Sequence, residues 1–431
     1  MRISRKARYG VGILAVAIGV AACSSSSKSS SGTTQPTTGG TAPGATPAGQ
    51  ASTPTSAAAA AGAPITVGLI CSCSGPFGAD ILAGGDVGKA WANSVNASGG
   101  IDGHPIQLVY KDDASNPATS TSAIQSLISD HVDVILDDTI LDAVWASTVA
   151  AAKIPVVGGN FGSEPFFTNP DFYSSGQTND SITYSNVSVA KQAGATNIGN
   201  LYCAEAVQCQ QGVPLMKAAG QQVGVPANFS ASVSMSAPNY TAQCVAAQEN
   251  HVSALFIGDS SATIARIGAD CDKQGYDPTY ITEGTGFSML LTSAPGLKDH
   301  LWSDYPILPF WDTSSPLIQT MNTAVDKYYP GLRNDVTKWS EYAAQTWTAG
   351  LLIQDAVKGS GIGSSGTPTA AAITQGLNSI KNDTLGGWSP ALTFTAGQTH
   401  KVDCWFVARV QNGTPSLVNG GQDTCQSGKS T

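Results

Sequence analysis

From residue 64 onward the sequence alternates short β-rich runs with helix-spaced apolar residues, and it does so in two successive series. In the first, Ile65–Ile70, Ile106–Tyr110, Val132–Leu136 and Ile154–Val157 read as strands. Between them Ile81, Gly84, Gly88, Trp91 and Val95 recur at helical spacing, up to a stop at Gly99-Gly100. Ile124, Leu127 and Ile128 mark a second helix, and Val144–Ala152 a third. The other series starts near residue 180, with strands at Ile198–Tyr202, Phe229–Val233, Ala254–Ile257 and Tyr280–Ile281. Helices are expected around 186–193, 212–223, 240–250 and 262–274. Consecutive parallel strands need a crossover, and a helix is the usual one, so the pattern calls for parallel sheets with helices on both faces. Two series imply an α/β chain of two doubly wound lobes with central, mainly parallel sheets. Residues 64–431 are enough for two separate cores.

The start of the chain has a different character. Arg2, Arg5, Lys6 and Arg8 precede an apolar run from Val11 to Ala22, too short to span a bilayer. A basic start, a short apolar core and small residues read as a secretory signal over residues 1–22. Val20-Ala21-Ala22-Cys23 resembles a bacterial lipobox, which would make Cys23 the acylated N-terminus of the mature chain. Residues 24–63 carry one charge, Lys28, and no aromatic side chain. Such a segment buries too little apolar surface to offset its ordering entropy, so it is expected to be a disordered tether, with or without O-linked sugars. Four of the 21 Lys and Arg residues and none of the 30 Asp and Glu lie in the signal. An acidic mature chain without a basic cluster argues against nucleic acid and against electrostatic binding to anionic lipid.

With Cys23 set aside, eight of the nine cysteines remain. An even number in an exported chain suggests disulfides, although eight can pair in about a hundred ways. Proximity favours Cys203–Cys209, Cys244–Cys271 and Cys404–Cys425, and leaves Cys71 and Cys73 unassigned. The five histidines are scattered and none lies beside a cysteine pair, so no metal and no cofactor are expected. Gly258-Asp259-Ser260 resembles the opening of the GDS hydrolases, which also need a histidine three residues after an aspartate. The residues three before each histidine are Ile101, Ile128, Gln248, Leu297 and Gly397, none of them acidic. No nucleophile elbow, H-E-x-x-H, P-loop or dinucleotide fingerprint is present, and an enzyme is not expected.

In doubly wound sheets, ligands bind beyond the carboxyl ends of the strands. Here those ends carry Ser72–Gly78, Asp137–Thr139, Gly158–Ser163, Gly258–Ser261 and Thr282–Gly286, all rich in Gly, Ser, Thr, Asp or Asn. Turn chemistry alone can account for such residues. Three motifs in order add a more specific signal: Ser74-Gly75 after the first strand, Asn96-Ala97-Ser98-Gly99-Gly100-Ile101-Asp102-Gly103, and Asp112-Asp113 with Asn116-Pro117. With Glu283-Gly284-Thr285-Gly286, the chain over most of 64–410 resembles the leucine/isoleucine/valine-binding protein family, the type I periplasmic binding proteins.

The resemblance implies two lobes joined by three crossings, near Gly176, Pro306 and Gly387: 64–176 with 307–387, and 177–306 with 388–431. It implies a monomeric extracytoplasmic receptor of an ABC importer, lipid-anchored through Cys23 at the outer face of the cell membrane, with permease and ATPase subunits as partners. A surface receptor for a sensor, with the same fold, is the alternative. The ligand would be small and amino-acid-like or carboxylate-bearing, held by Ser74, Gly75, Thr139, Asn160, Phe161 and Ser260, with Glu283 on its ammonium. The first lobe departs from the family pattern, with Asp137-Asp138-Thr139 and Gly158–Ser163 where Ser/Thr-rich turns are usual. Either the two aspartates point away from a ligand carboxylate, or the ligand presents donors to them. Polyols, amides, ureas and aromatic acids stay open. Asp112 and Asp113 read as structural, while Trp311 and Trp388 fall near crossings and could stack on a ligand or pack beneath the hinge.

Overall fold

The computed structural model describes residues 60–75, 78–158, 163–205 and 207–428. Cys23 and nearly all of the tether therefore lie outside the described residues. The first lobe begins with β1 (Ile65–Cys71), α1 (Gly78–Ala97), β2 (Ile106–Asp112), α2 (Pro117–Ser129), β3 (Val134–Asp138) and α3 (Ala146–Ala152). It continues through β4 (Val156–Gly158), α4 (Pro165–Thr168) and β5 (Phe172–Ser174). The five strands are all parallel, in the order β2-β1-β3-β4-β5. β3 has no exposed residue, as expected of a central strand with helices on both faces.

The second lobe contains α5 (Asn179–Gln192), β6 (Ile198–Cys203), α6 (Val207–Val223), β7 (Ala227–Val233), α7 (Thr241–Glu249) and β8 (Ala254–Gly258). α8 (Ser261–Lys273), β9 (Thr279–Glu283) and β10 (Leu301–Tyr305) follow. The chain then crosses back. α9 (Pro316–Tyr328) and α10 (Glu341–Gly359) pack on α1, and α11 (Ala370–Ser379) packs on α10. A last crossing leads to β11 (Cys404–Gln411), β12 (Thr414–Leu417) and β13 (Thr424–Cys425). The second sheet runs β12-β11-β10-β9-β8-β6-β7, parallel except where β11 pairs with its neighbours. β7, at its edge, alternates between covered and exposed residues, as a strand with one solvated face does.

The expected two-lobed α/β fold is thus the one observed. The eight strands read from the sequence are present, with ends shifted by a few residues. β5 and β10 to β13 were not read. β10 is hidden by Ser303 and Asp304, two polar residues inside a five-residue buried strand.

Local chemistry explains the motifs. Asn96 locks its turn by donating to the Ile106 carbonyl at 2.9 Å and accepting from the Ile106 amide. Asn116 caps α2 by accepting from the amides of Ala118 and Thr119. On α1, a Cβ at Gly84 would lie 2.2 Å from Asp138 Oδ2 and 2.7 Å from the Thr346 hydroxyl. Only glycine lets α1 settle at that depth between β3 and α10.

Three crossings join the lobes and bond to one another. The Gln177 amide donates to the Pro306 carbonyl at 3.1 Å, Leu308 to Trp388 at 2.8 Å, and Thr178 to Val402 at 2.9 Å. Cys203–Cys209, Cys244–Cys271 and Cys404–Cys425 are disulfides, as proximity suggested, and Cys71 and Cys73 are bonded to each other. Among the described residues no helix is long and apolar enough to cross a membrane.

Candidate functional site

In the first lobe the strand ends are knotted together by Asp113. Its carboxylate accepts from the Ser72 hydroxyl at 2.9 Å, from the Ser115 amide at 2.9 Å and from the Thr139 hydroxyl. All three side chains, Ser72, Asp113 and Thr139, are fully buried. The Thr139 hydroxyl is therefore taken up in tying β1, β2 and β3 together. Asp112 accepts from the amides of Ser74 and Ala114 and holds the neighbouring turn. Ser74 and Gly75 themselves lie exposed at the end of β1. Asn160 and Phe161 lie outside the described residues.

Asp137 and Asp138 point away from the surface. They alternate across β3, so they enter opposite helical layers. Asp138 Oδ2 faces Gly84 and Thr346, and Asp137 pairs with Asp142. Burial pushes both carboxyls well above the usual range, and pushes Asp142 up to about 7 although Ser163 donates to it. What the first lobe shows beside them is apolar. The Cys71–Cys73 disulfide and Ile81 form a small cluster against which Leu82, Tyr110, Ile140 and Tyr342 pack, all four partly exposed.

The second lobe carries the acid. Glu283 ends β9, half-buried, and accepts from the Asn186 amide at 3.5 Å and the Thr285 hydroxyl at 3.2 Å. Burial raises its pKa and these two bonds oppose the rise. Asp304 is its register partner on β10, so both carboxyls stand on the face covered by α5. Burial, then the charge of Glu283, push Asp304 up to about 8, and the Ser185 hydroxyl donates to it. Gln177, in the first crossing, donates to that same Ser185 at 3.0 Å, which links the carboxyl pair to the hinge. Ser260 is the N-cap of α8, where its hydroxyl accepts from the Thr263 amide.

The lobes meet beside Glu283. A Cβ on Gly284 would lie 2.5 Å from the Tyr305 ring, so glycine is what allows this loop to lie on the hinge. Ser288 pairs with Ser340, bridging the lobes. Phe287, Tyr305 and Trp311 form an aromatic cluster there, and the Trp311 indole donates to the Tyr305 hydroxyl at 3.0 Å. Trp388 is buried beneath the hinge, whereas Trp311 is partly exposed. Ser74, Gly75 and Ile140 follow β1 and β3 of one lobe; on the other, Ser260 follows β8 and Glu283 ends β9 beside this seam. Sequence reasoning missed Asp304, Tyr342, Glu341 and Gln345. The last two had a visible signal, a Glu and a Gln four residues apart, and so on one face, in the first half of a helix rich in Ala, Leu and Trp.

A family model described as periplasmic binding protein matches residues 64–415, so the chain belongs to the periplasmic binding-protein family. The resemblance read from the motifs is borne out. A branched-chain amino acid ABC transporter protein from Thermus thermophilus, solved with bound valine, is 12% identical with a TM-score of 0.73, over 83% of this chain and 95% of that one. A fatty acid ABC transporter substrate-binding protein from Thermomonospora curvata is 15% identical with a TM-score of 0.69, over 84% and 92%. A branched-chain amino acid transporter substrate-binding protein from Streptococcus pneumoniae, in complex with isoleucine, is 15% identical with a TM-score of 0.66, over 82% and 99%. At these identities the likeness shows the fold. No curated protein sequence matches the chain.

Proposed function

We propose that the chain is the extracytoplasmic solute-binding lipoprotein of an ABC importer, taking a small amino-acid-like or carboxylate-bearing ligand between its lobes. The observation that carries this reading is Glu283, a partly exposed acid at a strand end, beside the seam and linked to the hinge through Asp304 and Gln177. Its carboxylate suits an ammonium group. The apolar surface of Ile140, Leu82 and Tyr342 suits the body of such a ligand. The valine and isoleucine of the Thermus and Streptococcus proteins fit that description, and the fatty acid named for the Thermomonospora protein supplies the carboxylate-bearing variant.

The lobes run 64–176 with 307–387 and 177–306 with 388–431, and they close as rigid bodies about the three crossings. The chain works as a monomer, without catalysis, held to the membrane by lipid on Cys23 and delivering ligand to permease and ATPase subunits. The test is native mass spectrometry of the purified protein for a co-purified small molecule, followed by thermal-shift screening of amino acids, amides and fatty acids. A protein that carries none of these classes, and is stabilised by none, overturns the reading. Cys23→Ala should move the protein from the membrane fraction to the soluble one with its melting temperature unchanged.

A further inference from the structure

Helix α10 carries a polar stripe where a buried helix should be apolar. Glu341, Gln345 and Thr348 recur at spacings of four and three and so share one face. All three are fully buried. The two ends of the stripe are anchored on the hinge. Glu341 Oε2 accepts from the Phe310 amide at 3.3 Å in the second crossing, and the Thr348 hydroxyl lies 3.1 Å from that of Ser175 in the first. Between these anchors, neither amide atom of Gln345 has a partner among the described residues, and neither does Glu341 Oε1. The adjoining face of α10 is accounted for, since Thr346 meets Asp138 and Gly350 lies against Trp91.

More than nine in ten buried polar groups in native structures are hydrogen-bonded, because an unpaired one keeps its full desolvation cost. Here three unpaired atoms lie within one turn of a helix, where both lobes and two crossings meet. Ser340, next to Glu341, is the residue that bridges to Ser288 just beyond the Glu283 loop. Tyr305, which follows Asp304, feels the charge of Glu341. The stripe is thus a neighbour of the ammonium site proposed above. Burial raises the Glu341 carboxyl well above its usual range, and the bond from the Phe310 amide opposes the rise. A carboxyl and a carboxamide side by side offer acceptor oxygens and the N–H donors of the amide.

We propose that Glu341 and Gln345 are specificity-determining residues that form a second polar subsite on the floor of the interlobe cleft, and that they take a carboxamide or urea-like group of the ligand. The proposal rests on the solute-binding reading and deepens it. The ligand carries a planar group with N–H donors and a carbonyl acceptor, and is not a purely aliphatic amino acid or a fatty acid. A site built to pair such a group rejects an isostere that lacks it far more strongly than an apolar pocket rejects an extra polar atom.

The test uses L-asparagine and L-leucine, which share a shape and differ in the amide, titrated into the full mature chain by calorimetry. Asparagine should bind at least tenfold more tightly. Gln345→Leu should erase that ratio or invert it, and Glu341→Gln, which keeps an acceptor for Phe310, should reduce it. Glu283→Gln should weaken both probes alike. Leucine binding as well as asparagine, or a ratio unmoved in Gln345→Leu, overturns the subsite. If neither probe binds, the amino-acid reading fails and the melting of unliganded Gln345→Leu decides the subsite. A side chain kept for a ligand can be replaced by leucine without loss, so this variant should melt at or above the parent. Melting several degrees lower would show that the amide serves the fold, and would overturn the proposal.

Discussion

The acids that end β3 in the first lobe and β9 in the second are treated in opposite ways. At the end of β3, Asp137 and Asp138 are drawn into the helical layers on either side and are wholly buried. At the end of β9, Glu283 stays partly exposed, held from one side by Asn186 and Thr285. What differs is the cover. β3 is a central strand whose last residues are still beneath α1 and α10, and Gly84 leaves room for the Asp138 carboxyl. β9 ends at a glycine loop resting on the hinge, and Glu283, its last residue, lies beside α5 but is only partly covered. A carboxylate at a strand end is thus not by itself a ligand contact; the layer that packs over it decides.

The largest test of this comparison fills the space that Asp138 occupies. Gly84→Leu puts a side chain where Asp138 and Thr346 already sit, and should cost about 3 kcal/mol in chemical denaturation. If the variant is as stable as the parent, the inward placement of Asp138 is wrong. Next in size is the covalent tie between α7 and α8 in the second lobe. Replacing Cys244 and Cys271 together by alanine opens a loop of separation 27 and should cost roughly 3 kcal/mol. The same change at Cys71 and Cys73, separated by 2, releases little chain entropy, so a larger loss there would mark that pair as the more important one.

Glu283→Gln should weaken an ammonium-bearing ligand at least tenfold, while the unliganded melting temperature shifts only slightly, because the side chain is partly exposed. An equal response of parent and variant to one amino acid would remove Glu283 from the site. The smallest effect at mildly acidic pH is that of Asp304→Asn. Asp304 has a folded pKa of about 8, far above its unfolded value, so between these the folded protein binds the extra proton. Its contribution is fully present below about pH 4 and is lost as pH rises towards 8. Melting temperature should therefore fall with pH across that window in the parent, and fall less in Asp304→Asn. Parallel pH profiles would show that Asp304 ionises normally.

Much of the site's frame was legible in the residues. Glycine at Gly99 and Gly100 and the Asn96 turn act within about ten residues of chain, so their structural role could be read locally. Glu283 could be placed by its motif. Thr139 reads as a candidate contact for the same reason, yet its hydroxyl is bound by Asp113, 26 residues away. Asp304 and Gln345 could not be found by position, since their meaning depends on α5 and on the crossings that come to lie beside them.

The alternation of strand and helix determined by itself that the chain would make parallel sheets in two lobes, because short apolar runs joined by helices have few other ways to bury both faces. The even cysteine count and their spacing indicated three of the four disulfides. Only the tertiary structure decided which acids were buried, which hydroxyls were spent in holding loops together, and which polar atoms were left without a partner at the hinge. Those outcomes depend on contacts between residues far apart in sequence, where one neighbouring layer changes a side chain from solvated to enclosed and so changes its charge, its partners and what it can bind.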